Sequence, residues 1–189
     1  MGSAIDLRTT EGAVRIERDV VLVSGPEAVT YLQGQLSQDV DALGVGEATW
    51  SLLLQPTGKV DAWLRVMRTA DDALVLDVDA GHGDTVLARL QRFKLRTKAD
   101  LTGARWSGWS LRGPSIERRE ALGPEVLALP AGWPGVPGVD LLAESVEPPH
   151  GLDELPTAAL EALRVECGVP AMGAELTDAT IPAEAGQWL

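Results

Sequence analysis

Residues 30–40 read TYLQGQLSQDV and gather side chains able to hold a ligand around two apolar ones. Gln33, Gln35, Ser37 and Asp39 crowd Leu32 and Leu36, which share a helix face. An amide donates and accepts at once, and a carboxylate accepts two donors side by side. A second polar group, Gln55-Pro56-Thr57-Gly58 followed by Lys59, reads as a turn between two strands. Such groups bind. They offer no nucleophile with a base beside it. The single cysteine, Cys167, excludes an internal disulfide and a Cys-rich metal site, and His82 and His150 sit far apart among Gly and Pro. Six of the eight aromatic residues are Trp, a side chain suited to filling cores and to stacking planar ligands.

Composition narrows the class. A chain of 189 residues makes one ordinary domain or two small interlocked ones. Its 45% apolar content fits a soluble globular protein, and no apolar run reaches a membrane span. Residues 1–12 show no charged-then-apolar leader pattern, so the cytoplasm is the expected compartment. Sixteen basic residues against 28 acidic ones give a net charge of −12, which argues against a nucleic-acid surface. Lysines occur only at Lys59, Lys94 and Lys98.

The periodicity places these groups on elements. Residues 14–23 read as one or two strands, and Pro26 opens a helix whose face is Val29, Leu32 and Leu36. Residues 49–54 and the alternating run from Val60 to Met67 predict a hairpin around the Gln55 turn. Residues 73–79 predict a strand, and Asp84 caps a helix with a stripe of Val86, Leu87, Leu90 and Phe93. Residues 94–101 and 104–111 predict two further strands, and Gly113-Pro114 a short polar helix. Residues 130–151 are loops around one short strand at 139–143. Pro156 starts a last helix with Leu160, Leu163 and Cys167 on one face and Gly168 behind it. The end is irregular and closes on Trp188-Leu189.

In this order, Gly25-Pro26-Glu27-Ala28, residues 31–40 (YLQGQLSQDV) and residues 53–60 (LLQPTGKV) resemble the N-terminal half of YgfZ-type folate-binding proteins. These are relatives of the glycine-cleavage T-protein, an aminomethyltransferase. The likeness continues through Phe93-Lys94-Leu95-Arg96, residues 164–170 (RVECGVP), Gly173, Glu175 and residues 182–186 (PAEAG). It implies an α+β, T-protein-like N-terminal region with mostly antiparallel sheets and packed helices. Two interlocked portions, 1–100 and 101–189, are expected, with the C-terminal barrel absent. It further implies tetrahydrofolate or a derivative as ligand, iron–sulfur proteins as partners, and an indirect link to tRNA modification. No direct nucleic-acid or membrane contact is expected. Three departures bear on activity. The chain ends before the family's Lys-Gly-Cys-Tyr-x-Gly-Gln-Glu motif, as a truncated member would. The paired aspartates of the aminomethyltransferases correspond to Ala62 and Trp63, and a glutamate near the pterin corresponds to Val136. The expectation is therefore folate binding without aminomethyl transfer. The rivals are a folate-dependent aminomethyltransferase or demethylase, and an incomplete domain acting through protein contacts.

On that reading Gln33, Gln35, Ser37 and Asp39 line a folate pocket with Gln55 and Lys59, the lysine meeting the glutamate tail. Trp63 floors the pocket and Asp77 faces the ligand. Several have a plainer alternative. Gly34 can relieve helix packing, Ser37 and Asp39 can cap loop groups, and Lys59 can be a solvated hairpin residue. Trp63 can be buried against a second layer, and Asp77 and Asp79 can be solvated on an edge strand. Asp61 and Arg65 share Trp63's face and can pair across it.

Overall fold

The computed structural model describes residues 6–116 and 125–185. The segment after Gly113-Pro114 that was expected to be helical, and the terminal Trp188-Leu189, lie largely outside them. The fold is α+β with mainly antiparallel strands, divided into two compact units. One joins the N-terminal segment up to Glu17 to Trp106–Val169, and the other joins Arg18–Arg105 to the segment from Pro170. Two long strands, β1 (Gly12–Ser24) and β5 (Asp100–Arg112), each straddle a boundary. Each chain end therefore joins the unit built by the other half.

The larger unit is built on the hairpin β2 (Ala48–Leu54) and β3 (Val60–Ala70), followed by β4 (Ala73–Asp79). The strands pair antiparallel in the order β2-β3-β4-β1. Alternation sends one face of each strand to an apolar cluster. Val21, Val23, Leu53, Leu64, Val66, Leu74, Leu76 and Val78 form it, roofed by two helices. Helix α1 (Ala28–Gln33) gives Ala28, Tyr31 and Leu32, and α2 (Gly83–Lys94) gives Val86 and Leu90. The buried Tyr31 hydroxyl donates to the Leu90 carbonyl at 2.5 Å and ties the helices together. Phe93, expected on the buried stripe, is exposed.

Several expected boundaries move. Helix α1 stops at Gln33, and Leu36 forms an isolated bridge with Leu53. Ser37 N–H then donates to Leu52 O at 3.0 Å, so the chain leaves the helix to cover the open edge of β2. Residues 94–99 are a loop rather than a strand, and the two strands expected beyond Lys94 are the single β5. A bulge between β2 and β3 leaves Asp61 without a partner across the ladder, since Leu53 faces Ala62 and Leu54 faces Val60.

In the smaller unit β5 pairs with β7 (Gly138–Ala143), which pairs with β6 (Leu127–Pro130), a strand the Pro/Gly-rich sequence hid. The short β8 (Glu154–Leu155) runs parallel to the start of β1, and α3 (Thr157–Glu166) follows with Gly168 behind it at φ 67°. Trp109, Leu111, Val139 and Leu141 fill this core.

Two glycines test the packing. A Cβ on Gly108 would lie 2.0 Å from the Leu141 carbonyl across the β5–β7 ladder, whereas one on Gly34 meets nothing closer than 3.6 Å. Gly108→Ala is expected to destabilise the protein by about 3 kcal/mol or more in urea unfolding. Gly34→Ala should stay within about 0.5 kcal/mol of the parent; equal losses would refute this packing.

Candidate functional site

The expected ligand-binding residues all lie in the larger unit, where the structure puts most of their polar atoms to local use. Gln33 Oε1 accepts from the backbone of Val40 at 2.6 Å and Asp41 at 3.0 Å, closing the loop after α1. Ser37 Oγ accepts from Leu52 N–H at 2.9 Å and meets Ser51 Oγ at 3.3 Å. Asp39 accepts from Ala42 N–H at 3.3 Å, the loop cap weighed from sequence, and Gln35 reaches only the neighbouring Gly34 carbonyl. The cluster in TYLQGQLSQDV therefore satisfies the backbone of a chain that turns out of a helix onto a sheet edge.

Gln55 and Lys59 bracket the β2–β3 turn. Gln55 N–H donates to Lys59 O at 2.8 Å, and Gly58 takes φ 81°. The Gln55 amide donates to Asp178 O at 3.1 Å, and Val60 N–H to Thr180 O at 2.9 Å, so the C-terminal segment is strapped to the hairpin. Arg89 of α2 holds the same hairpin, with Nε on Asp61 and a terminal nitrogen on Leu54 O, both at 3.1 Å. The bulge turns Asp61 to Arg89. The pairing of Asp61 with Arg65 expected across Trp63 is therefore replaced by an Asp61–Arg89 pair.

Trp63 and Asp77 share the sheet face opposite the apolar cluster. Trp63, 3% exposed, stacks on Trp50 with centroids 4.1 Å apart and planes 17° apart. The Arg65 guanidinium stands 5.1 Å from the Trp50 ring and binds Asp77 through Nε at 2.8 Å and a terminal nitrogen at 2.7 Å. Arg18 pairs with both Asp77 and Asp79. Asp79 also accepts from Met172 N–H at 2.9 Å, and the Met172 sulfur accepts from Trp63 N–H at 3.3 Å. Solvation of Asp77 on an edge strand is thus corrected. Strand β4 lies between β3 and β1, and Asp77 is 1% exposed. Arg18, Trp50 and Met172 were missed and Arg65 was given the wrong partner, because partner choice across strands leaves no local spacing to read.

At the start of α2, Asp19 borders an open hollow of about 380 Å³ with Asp84, Gly103 and Arg105. Its Oδ2 accepts from Gly81 at 2.7 Å and Gly83 at 3.0 Å, and its Oδ1 from Arg105 at 3.2 Å. Burial pushes the Asp19 pKa up, but the Gly83 and Gly81 N–H bonds and Arg105 outweigh it, so the carboxyl titrates below its ordinary value.

In the smaller unit Arg112 is buried against Asp140 at 2.9 Å and under the Trp133 ring, with Ser110 Oγ on the same carboxylate at 2.9 Å. Cys167 is buried at the end of α3, and that burial pushes its thiol pKa up against the smaller pull of Arg8. This is the inert side of cysteine chemistry. Val136 is also buried.

No family model matches the chain. Similar curated proteins are aminomethyltransferases. The one from Thermus thermophilus is 29% identical over 191 residues, covering 85% of this chain and 55% of the relative. The one from Rubrobacter xylanophilus is 26% identical over 197 residues, covering 88% and 52%. The solved glycine cleavage system aminomethyltransferase T from Bartonella henselae matches with a TM-score of 0.78 at 20% identity, over 93% of this chain and 56% of that one. The fold is that of a T-protein-like N-terminal region, and the sequence is similar to those of aminomethyltransferases. The chain spans about half the length of the curated relatives it matches. No helix among the described residues is long and apolar enough to cross a membrane.

Two predictions test these contacts. Asp77→Ala strands buried guanidinium charge and should cost about 3–5 kcal/mol, while an Arg65→Met/Asp77→Leu pair should cost less than the single change. Denaturant titration of the parent and both variants measures the difference, and a double mutant at least as destabilised as Asp77→Ala would refute the coupling. For Asp19 the unfolded chain binds its proton more readily, so stability rises with pH. The contribution is complete above the ordinary value of 3.8 and is lost as pH falls through the lower folded value. The stability gap between wild type and Asp19→Asn should therefore narrow from pH 6 to pH 3.

Proposed function

We propose that the chain is a YgfZ-type folate-binding module of the T-protein superfamily, taking tetrahydrofolate or a derivative without transferring an aminomethyl group. In that role it supports assembly or repair of iron–sulfur proteins in the cytoplasm, and through them tRNA modification. The observation that carries the reading is the likeness to aminomethyltransferases over 85–88% of the chain. The side chains at the positions matched to the paired aspartates support the absence of transfer. Ala62 is part of the apolar cluster, and Trp63 is stacked on Trp50. Neither can orient an amine or polarise a folate nitrogen.

The hairpin of Gln55 and Lys59 is the best-supported place for the ligand. Its backbone is held by Arg89 at Leu54 O and by Thr180 O at Val60 N–H, and the Gln55 side chain is tied to Asp178 O, so a ligand there would meet a preorganised turn. Gln33, Gln35, Ser37 and Asp39 would then act by holding the neighbouring loop, with Gln35 the nearest to a direct contact because its amide reaches only Gly34. Trp63 and Asp77 would support the site from within the sheet. The relatives' own name favours a second reading, a folate-dependent aminomethyltransferase.

Calorimetric titration of 5-formyl-tetrahydrofolate tests the first reading. Saturable binding is expected, weakened about tenfold by Lys59→Ala, the size of one lost charge-assisted hydrogen bond. Gln35→Ala and Gln55→Ala should weaken it less. Absence of heat from a chain that melts cooperatively would overturn the reading. Formation of methylene-folate from an aminomethyl donor would establish the second.

A further inference from the structure

Asp19 stands on β1 beside the first turn of α2 and is only 7% exposed. Gly83, the first residue of α2, has no room for a side chain there, since a Cβ would lie 2.6 Å from the Asp19 Cβ. The Gly81 and Gly83 N–H groups both close on Asp19 Oδ2, so donors at this helix end are answered by the chain's own carboxylate. That anchor is complete without Arg105. Arg105 nevertheless lays its Nε on Asp19 Oδ1 at 3.2 Å, while its side chain stays 66% exposed. A single bond through Nε fixes the guanidinium, and its terminal nitrogens have no partner among the described residues.

The hollow of about 380 Å³ at this place joins Arg105 to a second exposed charge. Asp84, the second residue of α2, makes no hydrogen bond or ion pair with any described residue. Apolar wall comes from Leu87 and Ala104. Gly103 lies on β5 outside the left-handed region of φ, so its backbone does not call for glycine. A Cβ there would stand 3.1 Å from a Leu87 methyl, and its absence keeps the hollow open. A glycine inside a strand marks a place where something approaches closely.

The charges select the occupant. Asp19 titrates below its ordinary value and stays ionised, so a simple anion would meet two carboxylates. A simple cation would meet Arg105, and an uncharged apolar molecule would strip water from both exposed charges without replacing it. A molecule carrying one negative and one positive group side by side answers both, since a guanidinium fork matches a carboxylate and Asp84 accepts an ammonium.

We propose that this hollow binds a free α-amino acid with an apolar side chain. Its carboxylate lies on the terminal nitrogens of Arg105, its ammonium on Asp84 and its side chain on Leu87. Asp19 is a positioning residue that holds Arg105 and the start of α2 in place. The site uses none of the residues assigned to folate and does not rest on folate binding.

Titration of L-leucine into the full chain, followed by amide chemical shifts, tests this. Saturable binding on the order of 1 mM is what a ligand this small can reach, with shifts at Gly83, Asp84, Leu87 and Gly103. N-acetyl-leucine lacks the ammonium and leucinamide lacks the carboxylate. Each should bind about tenfold more weakly, the size of one lost charge-assisted contact. Equal binding of either analogue would reduce the site to one charge and overturn the proposal. Glycine should bind more weakly than leucine, and equal affinity would overturn the apolar contact. Arg105→Gln and Asp84→Asn should each weaken leucine about tenfold, and Gly103→Val should fill the hollow and abolish binding. The analogues are compared on the parent protein, so the answer does not depend on how these variants fold. Absence of saturation up to about 50 mM in a cooperatively melting chain, or shifts confined to other residues, would overturn the proposal.

Discussion

The larger unit depends on pairing a buried carboxylate inside a sheet. Asp77 lies on a strand with neighbours on both sides, nearly out of reach of water. An unpaired carboxylate there would be expelled or neutralised. Arg65 lies directly across from it on β3, and Arg18 reaches it from β1. A slip of one residue in either pairing would turn Arg65 or Asp77 toward the apolar cluster under the helices. The charged face thus fixes the register that the apolar face alone would leave degenerate among Val, Leu and Ala. Through Arg65 over Trp50, and Trp50 on Trp63, the same constraint reaches β2.

This arrangement explains which parts of the fold could be read in the sequence. Alternation identified β3 and β4, and the Gln55–Gly58 turn identified the hairpin, because those signals are local. Helix α2 was legible from its period, although Phe93 leaves the core to lie under two arginines. The end of α1 was not legible. Leu36 keeps helical spacing with Leu32, but its partner is Leu53, and the edge of β2 outcompetes another helical turn. Strand β6 was hidden for a similar reason: Leu127–Pro130 is too short and too near Gly and Pro to announce itself, and only pairing with β7 makes it a strand.

For the site, residue types were easier to read than residue uses. Gln33 and Ser37 are polar for a reason, but their partners lie seven to fifteen residues away in backbone that sequence cannot position. Asp77 looked like a solvated residue near a strand end, and only the order β3-β4-β1 makes it central. At Ala62 and Trp63 the structure shows a methyl in the apolar cluster and an indole in a stack, surroundings in which a carboxylate would need solvent or a cation.

An anionic ligand on a protein of net charge −12 raises a problem of approach. Screening resolves much of it. At physiological salt, charges more than about 8 Å away are strongly attenuated, so local charge governs binding more than net charge. Arginines buried opposite aspartates, such as Arg65 and Arg112, are already compensated and contribute little field outside. The cations that can act on a ligand are those on exposed elements without such partners close by, and in the larger unit they gather after Arg89 on α2 and in the loop behind it. An anion approaching these residues would meet local positive charge despite the net charge of the chain.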